Sequence, residues 1–173
     1  MDLKNKIREI TDWPVAGVNF KDITTLLQDK KVFKYVIDKM AGPFRTKGVD
    51  KVVVIDARGF LLGSPIAYKL GSGVSLVRKN GKLPHKTITE TYRKEYGTDT
   101  LAMHTDTIRK GEKVLMVDDL IATGGTMDAA IRLVEKLGGI VKGVSCIIDL
   151  PFLGGSKKLG RYKLYRLVSY ENE

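Results

Sequence analysis

With 173 residues, one cysteine and no apolar run approaching a membrane span, the chain is expected to be one domain, residues 1–173. A chain of that size buries roughly two thirds of its unfolded surface without disulfides. The 30 Lys and Arg against 20 Asp and Glu give a formal charge of +10 and a pI near 9.6, which excludes an acidic solvating chain and invites a polyanion, either nucleic acid or a phosphorylated small molecule.

In chain order, MDLKNKIREI reads as a charged amphipathic helix rather than a signal peptide, so a cytoplasmic protein is expected. Gly17-Val18-Asn19 forms a loop whose backbone can come close to a ligand, and Phe20 follows it. Phe33, Val36, Ile37 and Met40 make a helical stripe ending before Gly42-Pro43. Val52 to Ile55 is a buried strand; Leu61, Leu62, Ile66, Ala67 and Leu70 give a second helix; Gly71-Ser72-Gly73 is a turn. Between that strand and helix stands Asp56-Ala57-Arg58-Gly59, amides plus a guanidinium suited to phosphate oxygens. Arg58 has a plainer use as a surface partner of Asp56.

Val74 to Val77 is the next strand, and the polar stretch from there to about Thr100 lacks a clear period and reads as a long functional loop. Six basic residues, Arg78, Lys79, Lys82, Lys86, Arg93 and Lys94, crowd it against one acid, Glu90, over residues 78–94. Val114 to Val117 suits a strand covered on both faces. Met127, Ala130, Ile131, Val134 and Leu137 then give a helix ending at Gly138-Gly139. Val144 to Ile148, holding Cys146 as a buried inert thiol, and Leu164 to Val168 are the last strands. Strand and helix alternate throughout, which implies right-handed crossovers and an α/β fold: a mostly parallel twisted sheet with helices on both faces. The late basic run Lys157, Lys158, Arg161, Lys163 and Arg166 reads as a solvated face.

Chemistry concentrates in VLMVDDLIATGGT, Val114 to Thr126. The helix starts at its end, so unpaired backbone N–H groups, the positive end of the macrodipole and a bare glycine backbone meet at Ala122, Thr123, Gly124, Gly125 and Thr126. That combination suits a phosphate. Asp118 and Asp119, at the carboxyl end of the strand, can accept hydrogen bonds from a vicinal diol and stabilise positive charge on a sugar. Elsewhere such an Asp pair is a turn and cap. The glycine loop lacks the lysine of a Walker-type loop, and no complete GxGxxG occurs.

VLMVDDLIATGGT resembles the phosphoribosyl pyrophosphate (PRPP) signature of type I phosphoribosyltransferases, and its ending ATGGT is similar to the adenine-using members. PVAGVNFKDIT, DARGFLLG, VRKNGKLP and TYRKEYGTD agree in the same order, so the likeness covers nearly the whole chain. The resemblance implies transfer of a phosphoribosyl group from PRPP to N9 of adenine, giving AMP and pyrophosphate, with Mg2+ carried by PRPP rather than held by protein ligands alone. It implies a hood over the base from about residues 1–30 with C-terminal contributions, and a mobile catalytic loop over about 79–99 that closes over pyrophosphate. Val18, Asn19, Phe20 and Lys21 would bind adenine, Arg58, Arg78, Lys79 and Lys82 pyrophosphate, and Ala122 to Thr126 the 5-phosphate. Asp118, Asp119 and Glu95, the last in Glu95-Tyr96-Gly97, would be the catalytic groups, with Glu95 exchanging a proton with the base. The family likeness further implies a homodimer.

Five positions depart from the pattern: Asn19 where an apolar residue is common, Lys21 for a usual arginine, Asp56 for a common glutamate, and Arg93 and Lys94 for residues that are often polar and apolar in relatives, which bears on closure of the loop. Two other uses of the fold stay open on the sequence, a PRPP-sensing nucleic-acid-binding regulator and a 6-oxopurine transferase. Against the first stand Glu95 in its motif and Phe20 in its loop. A membrane partner is not expected.

Overall fold

The computed structural model describes residues 1–93 and 97–172. A 3-10 turn at Lys4–Lys6 leads into strand β1 (Arg8–Ile10), which pairs antiparallel with β2 (Phe20–Asp22), Ile10 opposite Phe20. The amphipathic helix expected at the N-terminus is therefore a turn and a strand. Leu3 and Ile7 do have helical spacing and are buried, but Arg8 to Ile10 find ladder partners in β2, and that pairing satisfies the backbone instead.

Helix α1 (Thr24–Gln28) is followed by α2 (Lys30–Ala41), which Asp29 caps by accepting from the Lys31 and Val32 amides. Then come β3 (Lys51–Ile55), α3 (Arg58–Leu70), closed by Gly71 at φ 67°, and β4 (Gly73–Lys79). The stretch expected to be a loop instead holds β5 (Thr87–Arg93) and β6 (Thr98–His104), an antiparallel hairpin with Thr91 opposite Thr100. Its alternation is real but nearly all polar on one face, Thr87, Thr89, Thr91 and Arg93, so hydrophobic period alone does not reveal it. Strands β7 (Lys113–Val117) and β8 (Leu120–Ile121), helix α4 (Gly125–Lys136), β9 (Ile140–Asp149), the short helix α5 (Gly155–Lys158) and β10 (Leu164–Ser169) complete the described chain.

Among the described residues the main sheet runs β10-β9-β7-β3-β4-β6-β5, with β8 added beside β9. The pairings from β10 to β4 are parallel, and β4–β6 and β6–β5 are antiparallel. Successive side chains of β3 alternate between two cores: Val52 and Val54 meet the helix residues Leu62, Ile66 and Met40, while Val53 and Ile55 meet Met127, Ile131 and Val134 of α4. Helices thus cover both faces, and the carboxyl ends of β3 and β7 open on the same side, where ligands bind in such sheets. Gly63 permits the close approach of α3, since a Cβ there would lie 1.9 Å from Val54 Cγ1.

Among the described residues one apolar patch stays exposed at the edge of α3 and β4. Leu61 and Tyr68, two turns apart on α3, are 54% and 91% exposed, and Val74 and Leu76 of β4, in register with Val52 and Val54, lie on the sheet face that α3 packs against. No helix among the described residues is long and apolar enough to cross a membrane.

Candidate active site

The apolar run Val114 to Val117 is fully buried, and it delivers Asp118 and Asp119 to the sheet's opening. The chain then turns through β8 into Gly124, at φ 76°, and α4 begins at Gly125 with no side chain capping its N-terminus. Its first amides therefore face a cleft of about 180 Å³ lined by Asp118 and the run from Leu120 to Met127. Gly125 is held 3.0 Å, measured from a would-be Cβ, from the Tyr92 ring, and the Thr126 hydroxyl donates to the Tyr92 hydroxyl at 3.0 Å.

Asp119 is buried, and Arg58 Nε donates to its Oδ2 at 2.5 Å. The Asp119 amide donates to Asp118 Oδ1 at 2.9 Å. Burial, and next the Asp119 charge, push the Asp118 carboxyl well above the usual carboxylate range. Gly59 lies against it, a Cβ there falling 3.1 Å from Asp118 Oδ1. Across the opening, the Asp56–Ala57 peptide is cis, and Arg58 is the first residue of α3. Arg58 does not pair with Asp56; Arg78 does, its Nε donating to Asp56 Oδ2 at 2.8 Å. A second cavity of about 380 Å³ is walled by Ile55 to Arg58, Asp118, Asp119 and Thr126.

A third cavity, about 430 Å³, lies under the N-terminal arm between Val15 to Asn19 and Lys21 on one side and Ala122, Thr123, Leu150, Phe152 and Leu153 on the other. Phe20 does not line it. As the neighbouring residue of a strand it points the other way, edge-on to Trp13 with centroids 4.5 Å apart, and the Arg58 guanidinium stands 5.2 Å from its ring. Lys21 is buried, with Nζ 3.1 Å from Glu9 Oε2 and 4.4 Å from the centre of the Tyr170 ring. Asn19 Nδ2 donates to the same Glu9 oxygen at 3.0 Å. The bonds from Asn19 and Lys21 hold the Glu9 carboxyl below its ordinary value.

The three cavities share walls: Asp118 and Thr126 join the first two, Ala122 and Thr123 the first and third. Arg58, Asp118, Asp119, Ala122 to Thr126, Val18, Asn19 and Lys21 thus come together on one connected cleft, with Phe20 beside Arg58. Lys79, the last residue of β4, and Lys82, exposed just beyond the turn that follows, stand apart, Lys79 with Nζ 3.6 Å from Asp99 and Lys82 through its carbonyl, which accepts from Arg78. Glu95 lies outside the described residues. Tyr92, Glu9 and the wall Leu150, Phe152 and Leu153 escape the sequence reading; LPFLGG, an apolar run broken by glycines after a strand, is the signal that marks the last.

Residues 22–158 match the family model described as "Phosphoribosyl transferase domain". Over 170 residues, 98% of this chain and 100% of the relative, the sequence is 56% identical to the adenine phosphoribosyltransferase of Brachyspira hyodysenteriae. The fold is similar to the crystal structure of adenine phosphoribosyltransferase from Thermoanaerobacter pseudethanolicus, with a TM-score of 0.94 and 47% identity over 98% of both chains. It is likewise similar to the Saccharomyces cerevisiae adenine phosphoribosyltransferase complexed with D-2,5-dideoxy-2,5-imino-altritol 1,6-bisphosphate and adenine, with a TM-score of 0.91 and 34% identity over 96% of this chain and 97% of that one.

Proposed function

The chain belongs to the phosphoribosyltransferase family and transfers the 5-phosphoribosyl group of PRPP to N9 of adenine, giving AMP and pyrophosphate, and from that premise we propose how its own residues divide the reaction. The observation that carries the assignment of residues is the chain of shared walls: phosphate loop, acidic pair and arginine loop adjoin one another, and the hood cavity adjoins the phosphate loop.

The 5-phosphate sits on the amides and hydroxyls of Ala122 to Thr126, at the positive end of α4. Asp118 and Asp119 hold the ribose hydroxyls. Arg58, paired with Asp119 and walling the same cavity, binds the pyrophosphate oxygens, aided by the first amides of α3 and by Arg78, Lys79 and Lys82. Among the described residues no group of three or more His, Cys, Asp or Glu is placed to hold a metal ion. Asp118 and Asp119 on the cleft floor would face a divalent cation brought by PRPP, which would supply Lewis-acid neutralisation of the leaving group.

Adenine enters the hood, where the backbone from Val18 to Lys21 reads its edge; Phe20, turned toward Trp13 and Arg58, lies outside that cavity. Breaking of the C1′–oxygen bond runs ahead of bond making, its electron pair leaving with pyrophosphate. The N9 lone pair closes on C1′, and the base's surplus proton passes to Glu95. The carboxylates and the departing pyrophosphate stabilise the cationic sugar, so catalysis is mostly positioning and electrostatics. The side chain of Lys21 is committed to Glu9 and Tyr170, so its substitution for arginine leaves the backbone reading of adenine untouched.

A second copy covers the apolar face of Leu61, Tyr68, Val74 and Leu76, making a homodimer, and the protein works in the cytoplasm. Purified protein with PRPP and Mg2+ should form AMP with adenine and leave hypoxanthine and guanine unchanged. Equal turnover of hypoxanthine would move the assignment to 6-oxopurines.

A further inference from the structure

Asp149, at the end of β9, is fully buried and lines none of the three cavities. Burying a carboxylate is costly unless charged and hydrogen-bonding partners compensate it, and stability alone is served as well by an apolar side chain. Its partners lie on two elements. Ser156 Oγ of α5 donates to Oδ1 at 3.1 Å, and an Arg166 guanidinium nitrogen of β10 stands 3.4 Å from Oδ2, in a side chain 44% exposed to solvent. In the strand ladder Asp149 is in register with Ile121 of β8 and Ser169 of β10, and its carbonyl accepts from the Tyr170 amide at 3.1 Å. It therefore sits where the strand entering the phosphate loop meets the C-terminal strand.

The segment that Asp149 ties has contacts at both ends of the cleft. Leu150, Phe152 and Leu153 wall the hood cavity, and the Leu150 amide donates to the Ile121 carbonyl at 2.9 Å. Further on, the Gly155 amide donates to the Ala122 carbonyl at 3.0 Å. There is no slack between the two backbones: a Cβ on Gly155 would fall 2.2 Å from that carbonyl oxygen, and one on Gly124 would fall 2.9 Å from Gly155 Cα. The phosphate loop thus leans directly on Gly155, and Ser156, the next residue, is held by Asp149.

We infer that Asp149 is a positioning residue for PRPP: through Ser156 it fixes the height at which Gly155 supports Ala122 and Gly124, and so the place of the amides that receive the 5-phosphate. Arg166 stands beside the buried carboxyl as its charged partner. The inference rests on the assignment of Ala122 to Thr126 to that phosphate. A loop set a few tenths of an ångström off loses several charge-assisted hydrogen bonds to phosphate at once, which shows in binding of PRPP before it shows in folding.

Steady-state kinetics of the full chain, with PRPP varied at saturating adenine and Mg2+, test it. Ser156→Ala should raise the KM for PRPP about tenfold, the scale of one hydrogen bond to a charged group, with kcat changed by less than about threefold. Ser156→Thr, which keeps the hydroxyl, should restore it. Asp149→Asn should act in the same direction, and the double variant should be no worse than the poorer single one, since both cut the same tie. An unchanged KM for PRPP in Ser156→Ala, with kcat and Tm falling together, would reduce the tie to a structural one and overturn the inference; so would strictly additive effects. Thr126→Ala separates the premise from the inference: if it too leaves the KM for PRPP unmoved, the loop assignment has failed, and if it alone raises it, only the role of Asp149 has.

Discussion

Asp118 shows most directly how one residue's environment serves chemistry at the expense of stability. Its carboxyl is raised by burial and by Asp119, so the folded protein holds that proton more tightly than the unfolded chain does. For a raised carboxylate the stability is fullest below the ordinary value, about 4, and falls as the pH rises through the folded-state value. Asp118→Asn removes that cost. Its Tm should exceed the parent's at pH 7 by a few degrees, the gap closing below about pH 4, while turnover falls, and thermal scans from pH 3.5 to 8 read both limits. A lower Tm at pH 7 would mean that the carboxylate is compensated within the fold. In the proposed mechanism Asp119, paired with Arg58, meets the developing positive charge. Asp119→Asn should reduce kcat by about a hundredfold or more with the fold intact, as should Glu95→Ala, both checked by initial rates beside circular dichroism.

At the scale of elements, the hairpin of β5 and β6 is fastened to α4. Glu90 accepts from Arg132 Nε and from Lys136 Nζ, each at 2.7 Å, Arg132 also bonds Asp128, and Tyr92 meets Thr126. The bond from Lys136, opposed by burial and supported by Arg132, leaves the Glu90 carboxyl below its ordinary value. A lowered carboxylate contributes its stability in full above the unfolded value, about 4.3, and loses it as the pH falls through the folded one. Glu90→Gln should therefore lower Tm at pH 7, by an amount that shrinks to nothing toward about pH 3; a difference that persists in acid would assign the loss to packing. This hairpin is also where the sequence was least legible. Continuous apolar runs such as Val52 to Ile55 and Val114 to Val117 announce buried parallel strands, and TGGT announces the helix start, because burial on two faces and a bare backbone leave composition no freedom. Strand β5 shows one face to solvent as threonines and an arginine, and what holds it, Glu90 to Lys136 and Tyr92 to Thr126, joins residues more than thirty positions apart. The arm around β1 is obscure in sequence for a related reason: Leu3 and Ile7 satisfy a helical period while the partners that make Arg8 to Ile10 a strand stand ten to fourteen residues on. The glycine and acidic residues of the cleft could be named from sequence, but the carboxylate behind it, Asp149, could not, since only the fold brings Ser156 and Arg166 to it.

The whole molecule joins a +10 charge to an apolar face at Leu61, Tyr68, Val74 and Leu76, and the two features oppose each other in self-association. A two-fold dimer through this face is isologous, so each side chain appears in it twice and one substitution alters both halves of the contact. Its apolar burial is insensitive to salt, whereas the repulsion between two like-charged copies is screened as the Debye length shortens from about 10 Å at 0.1 M to about 3 Å at 1 M. The dimer should therefore tighten with added sodium chloride, the reverse of an assembly held by ion pairs. Leu76→Asp places two carboxylates in the contact while standing at a site already 39% exposed in the single chain, so the fold has little reason to suffer. Sedimentation equilibrium should show a dimer for the parent and a monomer for Leu76→Asp at the same concentration, with matching circular dichroism. A variant that remains dimeric would place the interface elsewhere, and a parent that dissociates as salt rises would show that charge, not this apolar face, holds the copies together.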